Sequence, residues 1–184
     1  MRLLRETVQV RLNLELAVAP EIVAIAVQAR PDQVTLVPER REELTTEGGL
    51  DVLAHRGRIA EAVRRCRDAG MEVALFLDPE PAQIEASLGL GVDAIELHTG
   101  RYANAAPGRE RRAALEAQES AAAIIVAAGL ELHAGHGLNY GNVGPIARIP
   151  RMEELNIGHS IVSRALFCGL ERAVREMKSC MFDR

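Results

Sequence analysis

Four of the five histidines, His98, His133, His136 and His159, stand at the ends of short apolar runs, and Glu15, Glu39, Asp78 and Glu96 stand at or near the ends of such runs too. Carboxylates and imidazoles together pass protons near neutral pH, because imidazole titrates there and a carboxylate can serve as its basic counterpart. Glycine brackets two of the imidazoles. Ala134-Gly135-His136-Gly137-Leu138-Asn139-Tyr140 leaves backbone amides bare beside a ring, so a ligand can approach the chain closely. Asn156-Ile157-Gly158-His159-Ser160 leads into a predicted helix, whose free N–H groups and positive dipole end suit a phosphate. The plainer alternative is that Gly158 only relieves a tight turn, with Ser160 as the N-cap.

Other chemistries fit less well. His133 and His136 lie three apart, but past a strand end rather than on one helix face, and no carboxylate stands at a clear ligand spacing. No metal is expected. The 22 basic residues include a single lysine, Lys178, in a helical stretch far from these motifs, so an enzyme Schiff base is not expected either. The net charge of −4 and 3% aromatic content speak against nucleic acid as a partner. No apolar run approaches the ~20 residues of a membrane span, and the start has no secretory apolar core. Cys66, Cys168 and Cys180 lack metal-ligand spacing and read as reduced thiols of a cytoplasmic protein.

The elements that must position these groups alternate. Val10–Leu16, Val34–Val37, Val73–Leu77, Ala94–Leu97, Leu130–His133 and Leu155–Ile157 are brief apolar runs, as buried parallel strands are. Between them, Pro20 opens a helix through Ala29, Ile59, Val63 and Cys66 stripe another that stops at Gly70, and Ile84 and Leu88 mark a third. Two longer helices are predicted over 109–128 and 161–179, and Leu3, Leu4 and Val8 suggest the tail of a helix at the start. An α/β fold with a parallel sheet follows. An open sheet gathers its ligand groups at one switch point, whereas a TIM-type (β/α)8 barrel brings every strand end to one mouth. Polar groups at all six run ends favour the barrel, and no glycine-rich dinucleotide or nucleotide loop competes. Such barrels have about eight units. The expectation is therefore a single domain, 1–184, holding about six of them. The polar stretch Pro38–Gly49, with paired glycines, reads either as a lid over the mouth or as a solvated loop.

Several motifs in order carry a resemblance. Leu12-Asn13-Leu14-Glu15-Leu16-Ala17, Leu36-Val37-Pro38-Glu39 through Thr45-Thr46-Glu47-Gly48-Gly49-Leu50-Asp51, Ile95-Glu96-Leu97-His98-Thr99-Gly100, Ala134-Gly135-His136-Gly137-Leu138 and Glu154-Leu155-Asn156-Ile157-Gly158-His159 together resemble the pyridoxine 5′-phosphate synthase family of vitamin B6 biosynthesis. The likeness runs from about Arg2 to Met181. It implies a barrel transferase that condenses 1-deoxy-D-xylulose 5-phosphate with 3-amino-2-oxopropyl phosphate to pyridoxine 5′-phosphate, phosphate and water. No cofactor or metal is implied, and the enzyme would be a cytoplasmic homo-oligomer. By position in the motifs, Glu15 resembles the general base, His136 the proton donor and Glu96 the residue that stabilises the transition state. Thr45 would contact the deoxyxylulose phosphate, while Gly137, Gly158 and His159 would hold the amino-ketone phosphate. The imine nitrogen comes from substrate, so the lack of a strand-end lysine is no obstacle.

The chain also departs from the family. The family's first two strands, which supply an Asn, an Asp-His pair, a catalytic His and a phosphate-binding Arg, have no counterpart here, and His133 stands where the family usually has Asn. The expectation is that this chain alone has little synthase turnover. The alternative is a non-catalytic relic that binds a phosphometabolite or packs against a partner.

Overall fold

The computed structural model describes residues 1–38 and 48–182, and Glu39 and Thr45 fall outside the described residues. Two compact units divide the chain, Met1–Glu96 and Leu97–Arg184. Strands and helices alternate through both, the strands are parallel, and their order follows the chain.

In the first unit, α1 (Arg2–Thr7) precedes β1 (Asn13–Ala17), α2 (Pro20–Ala29), β2 (Gln33–Val37), α3 (Val52–Asp68), β3 (Glu72–Leu77), α4 (Pro81–Ser87) and the start of β4 (Ala94–His98). β1 pairs with β2 from Asn13↔Gln33 to Ala17↔Val37, and β2 with β3 from Gln33↔Glu72 to Leu36↔Leu75. Aspartates just ahead of two strands fix the neighbouring strand starts. The Asp32 carboxylate accepts the Leu12 N–H at 2.8 Å, and Asp93 accepts the Val73 N–H at 2.9 Å while pairing with Arg67. Each bond satisfies an amide that the ladder does not reach.

The helices follow from sequence. Pro20 occupies the first turn of α2, where its missing N–H costs nothing, and α2 ends at Arg30 in a left-handed conformation with φ 49°. Asp51 caps α3 by accepting the Ala54 N–H at 3.0 Å, and Ile59, Ala62, Val63 and Cys66 form its buried stripe. Burial pushes the Cys66 thiol above its ordinary value, which keeps it protonated and unreactive. Gly70, at φ 84°, ends the segment as expected.

The second unit holds the end of β4, α5 (Gly100–Asn104), α6 (Arg109–Ala127), β5 (Glu131–Gly135), α7 (Val143–Ala147), β6 (Met152–Asn156), α8 (His159–Cys168) and α9 (Leu170–Phe182). β5 and β6 pair from Leu132↔Met152 to Gly135↔Asn156, with an irregularity between Leu132 and His133. The single helix expected over 161–179 is two. Gly169, at φ 81° and ψ 154°, breaks it, a conformation open to glycine and closed to an L side chain inside a helix. β1 starts three residues later than its apolar run, because Val10 and Arg11 are exposed and outside the ladder. β6 starts three residues earlier than expected, its pairing with β5 overriding the acidic Glu153 and Glu154. Among the described residues, no helix is long and apolar enough to cross a membrane.

Candidate active site

Within the first unit, Glu15 lies inside β1, two residues before its end, and is exposed. Asp78 follows β3 directly and is fully buried, accepting the Gly49 N–H at 2.8 Å. That bond draws the second glycine of the 38–49 stretch against the strand end. A Cβ on Gly49 would come 2.3 Å from the Asp78 nitrogen and 2.8 Å from the Leu77 carbonyl carbon, so only glycine fits there. Glu96 is 3% exposed, inside β4. A carboxylate in such an enclosed place is screened little by solvent, which suits it to act on charge that develops nearby.

In the second unit the polar groups draw together. β4 ends at His98, which is buried, and its carbonyl accepts the Gln118 side-chain N–H from α6 at 2.8 Å. Thr99 and Gly100 follow. β5 ends at Gly135, and the chain then turns through His136 and Gly137, at φ 80° and 77°. For a histidine this left-handed state costs about 1–2 kcal/mol, so it persists only where the surroundings fix it. The turn brings the His136 ring edge-to-face against His98, with centroids 4.8 Å apart and planes at 66°. Gly100 makes this possible, since a Cβ there would lie 2.5 Å from His98 Nε2 and 3.4 Å from His136 Cδ2.

The loop beyond His136 is tied by Asn142, whose side-chain oxygen accepts the Asn139 N–H at 2.7 Å and whose amide donates to the Gly137 carbonyl at 3.2 Å. The Tyr102 hydroxyl donates to the Asn142 carbonyl at 2.8 Å, and burial pushes its ionisation upward. This loop also meets the start of α8. Ser160 is not the N-cap. Gly158 takes that place, and the Ser160 hydroxyl donates to the Leu138 carbonyl at 2.9 Å. His159 and Gly158 are exposed, and a Cβ on Gly158 would meet nothing within 4 Å. The helix start therefore presents open N–H groups to solvent beside an imidazole, an arrangement compatible with a phosphate.

His133 takes a different position from the one its place in the apolar run suggests. β5 continues two residues past it, and the ring is fully buried inside the strand, with Nε2 3.2 Å from Glu131 Oε2 and Nδ1 3.9 Å from Glu154 Oε1. The hydrogen bond stays within β5, and the ring is packed between Glu131 of β5 and Glu154 of β6 instead of facing a rim. Among the described residues, no three His, Cys, Asp or Glu side chains are placed to hold a metal. The structure thus gathers His98, His136 and Gly137, and connects their loop to Gly158 and His159 through Ser160. Thr99, Gly100, Gln118 and Asn142 were not singled out from sequence. Thr99 and Gly100 directly follow a His-bearing strand end and Asn142 a glycine-flanked turn, whereas Gln118, inside α6, carries no such signal.

The family model described as "Pyridoxal phosphate biosynthesis protein PdxJ" matches residues 1–183. The chain belongs to this family. Among curated relatives of this PdxJ chain, pyridoxine 5′-phosphate synthase of a Synechococcus strain is 55% identical over 181 residues, 98% of this chain and 76% of the relative. The synthase of Trichormus variabilis is 53% identical over the same shares, and that of Photobacterium profundum 52% identical over 100% of this chain and 75% of its own. Among solved structures, the tryptophan synthase A-subunit of Pyrococcus furiosus superposes with a TM-score of 0.63 at 12% identity, covering 100% of this chain and 71% of that one. The BexX/CysO complex of Amycolatopsis orientalis gives a TM-score of 0.59 at 14% identity over 88% of this chain and 59% of that one. At those identities the likeness concerns fold alone, and it agrees with the TIM-type α/β class expected from the strand pattern.

Proposed function

We propose that this PdxJ-family chain belongs to a pyridoxine 5′-phosphate synthase, a transferase that condenses 1-deoxy-D-xylulose 5-phosphate with 3-amino-2-oxopropyl phosphate and releases phosphate and water. The observation that carries the reading is identity of 52–55% to synthases over nearly the whole chain. In the roles we assign, Glu15 is the general base, His136 the proton donor and Glu96 the stabiliser of the transition state. Thr45 contacts the deoxyxylulose phosphate, and Gly137, Gly158 and His159 hold the amino-ketone phosphate. Ring closure through an imine and successive dehydrations is a series of proton transfers, each within the reach of carboxylate and imidazole chemistry. The open N–H groups at the start of α8 and the ring pair at His98 and His136 support these roles.

The reading extends to a cytoplasmic homo-oligomer that needs no metal or organic cofactor. The exposure of Leu166, Phe167 and Leu170 supports the oligomer, since large apolar groups in one short stretch favour association. The test is an assay of the protein with both substrates and a chelator. Pyridoxine 5′-phosphate and inorganic phosphate should form in equal amounts, and neither should form when one substrate is withheld. Binding of both substrates without product would overturn the synthase reading.

A further inference from the structure

We propose that Thr99 is a positioning residue for His136, setting the ring of the proton donor by pinning the peptide that carries it. The inference deepens the synthase reading and rests on the role given there to His136. Thr99 is the N-cap of α5, a place where threonine ordinarily accepts a helix N–H, yet its side chain makes no such bond. Fully buried, it turns toward β5. The Gly135 carbonyl receives the Thr99 N–H at 2.8 Å, and the hydroxyl lies 2.7 Å from that carbonyl and 2.6 Å from the carbonyl of His136. Both carbonyls flanking the entry to the left-handed turn are thereby held by one residue.

The second observation is the conformation itself. His136 holds φ 80° without the freedom of glycine, and Gly137 follows at 77°. A backbone state that unfavourable needs an anchor, and the hydroxyl supplies one on the carbonyl side of His136. Thr99 also adjoins His98 in sequence, so the strand end that carries one ring of the pair fixes the turn that carries the other. Loss of the hydroxyl frees the His136 peptide to rotate toward the ordinary right-handed region, which carries the imidazole away from its position against His98.

Three variants test this. Thr99→Val keeps the shape and deletes the donor, Thr99→Ser keeps the donor and deletes the methyl, and Thr99→Ala deletes both and replaces Val if that variant fails to fold. The expected result is a fall in kcat of about tenfold or more for Val or Ala with KM little changed, because misplacing a reacting group costs rate before it costs binding. Serine should restore most of the turnover, and the His136 imidazole resonances should move in Val or Ala and stay in Ser. Full kcat with unmoved resonances in Val or Ala, or a loss in Ser as large as in Val, would overturn the proposal. His136→Asn separates the two readings. Full turnover in that variant removes His136 from the chemistry, while the ring resonances in the Thr99 variants still decide whether Thr99 sets its position.

Discussion

The rings of His98 and His136 meet edge-to-face at 4.8 Å, although 37 residues lie between them, His98 ending β4 and His136 following β5. The pair exists because Gly100 leaves room beside His98 and because His136 accepts a left-handed backbone.

On the proposed role of His136, Gly100 is expected to support turnover by leaving room for the ring that packs against it. In Gly100→Ala the new Cβ, 2.5 Å from His98 Nε2, must displace a ring that α5 and the His136 loop enclose. A shifted His98 ring moves the His136 ring packed on it, and a displacement near 1 Å at a reacting group costs up to about 100-fold in rate. Steady-state assay should show kcat falling toward that limit, and circular dichroism should show a helix content equal to wild type.

Gly137 carries a stability requirement apart from the substrate-binding role proposed for it. Its φ of 77° and a Cβ position 2.7 Å from the Ala103 Cβ both oppose a side chain. The left-handed state alone costs an L-residue about 1–2 kcal/mol. Urea unfolding of Gly137→Ala should give a loss of at least that size, with an unchanged m-value.

Acid stability has a defined contributor in Glu176. Arg164 and Arg172 each donate to it at 2.8 Å and hold its carboxyl down from 4.5 to about 2. A carboxylate depressed in the folded state stabilises fully above its unfolded value and loses that contribution as pH falls toward the folded one. Wild type should therefore lose more stability than Glu176→Gln between pH 4.5 and about 2, as read by thermal midpoints across that window. Equal slopes in the two proteins would remove Glu176 from the acid response.

Much of this fold is legible in the residues. Pro20 and Ala29 bound α2 as expected, and the stripe of Ile59, Val63 and Cys66 is buried as its spacing requires. Short apolar runs locate all six strands, because strands buried by flanking helices need little beyond apolar content. Ends are harder. β5 runs on to Gly135 and β6 begins at Met152 because their mutual pairing decides their length, and pairing partners are remote in sequence. The break at Gly169 is carried by one glycine, which the surrounding helical pattern masks. For the site, His136 and Gly137 announce themselves through flanking glycines, and Gly158 through the predicted helix start. Thr99 does not, because its function lies in bonds to a segment 36 and 37 residues away. His133 shows the converse. Its spacing from His136 suggests a shared rim, but the extra length of β5 buries it between Glu131 and Glu154.

The pH profile of kcat in wild type and in His136→Asn, both saturated with both substrates, tests the central assignment most directly. A general acid must be protonated to act, so wild type should lose turnover on its alkaline side. The asparagine variant should lack that limb and run about 100-fold or more slower. Equal rates and superimposable profiles in the two proteins would contradict His136 as the proton donor.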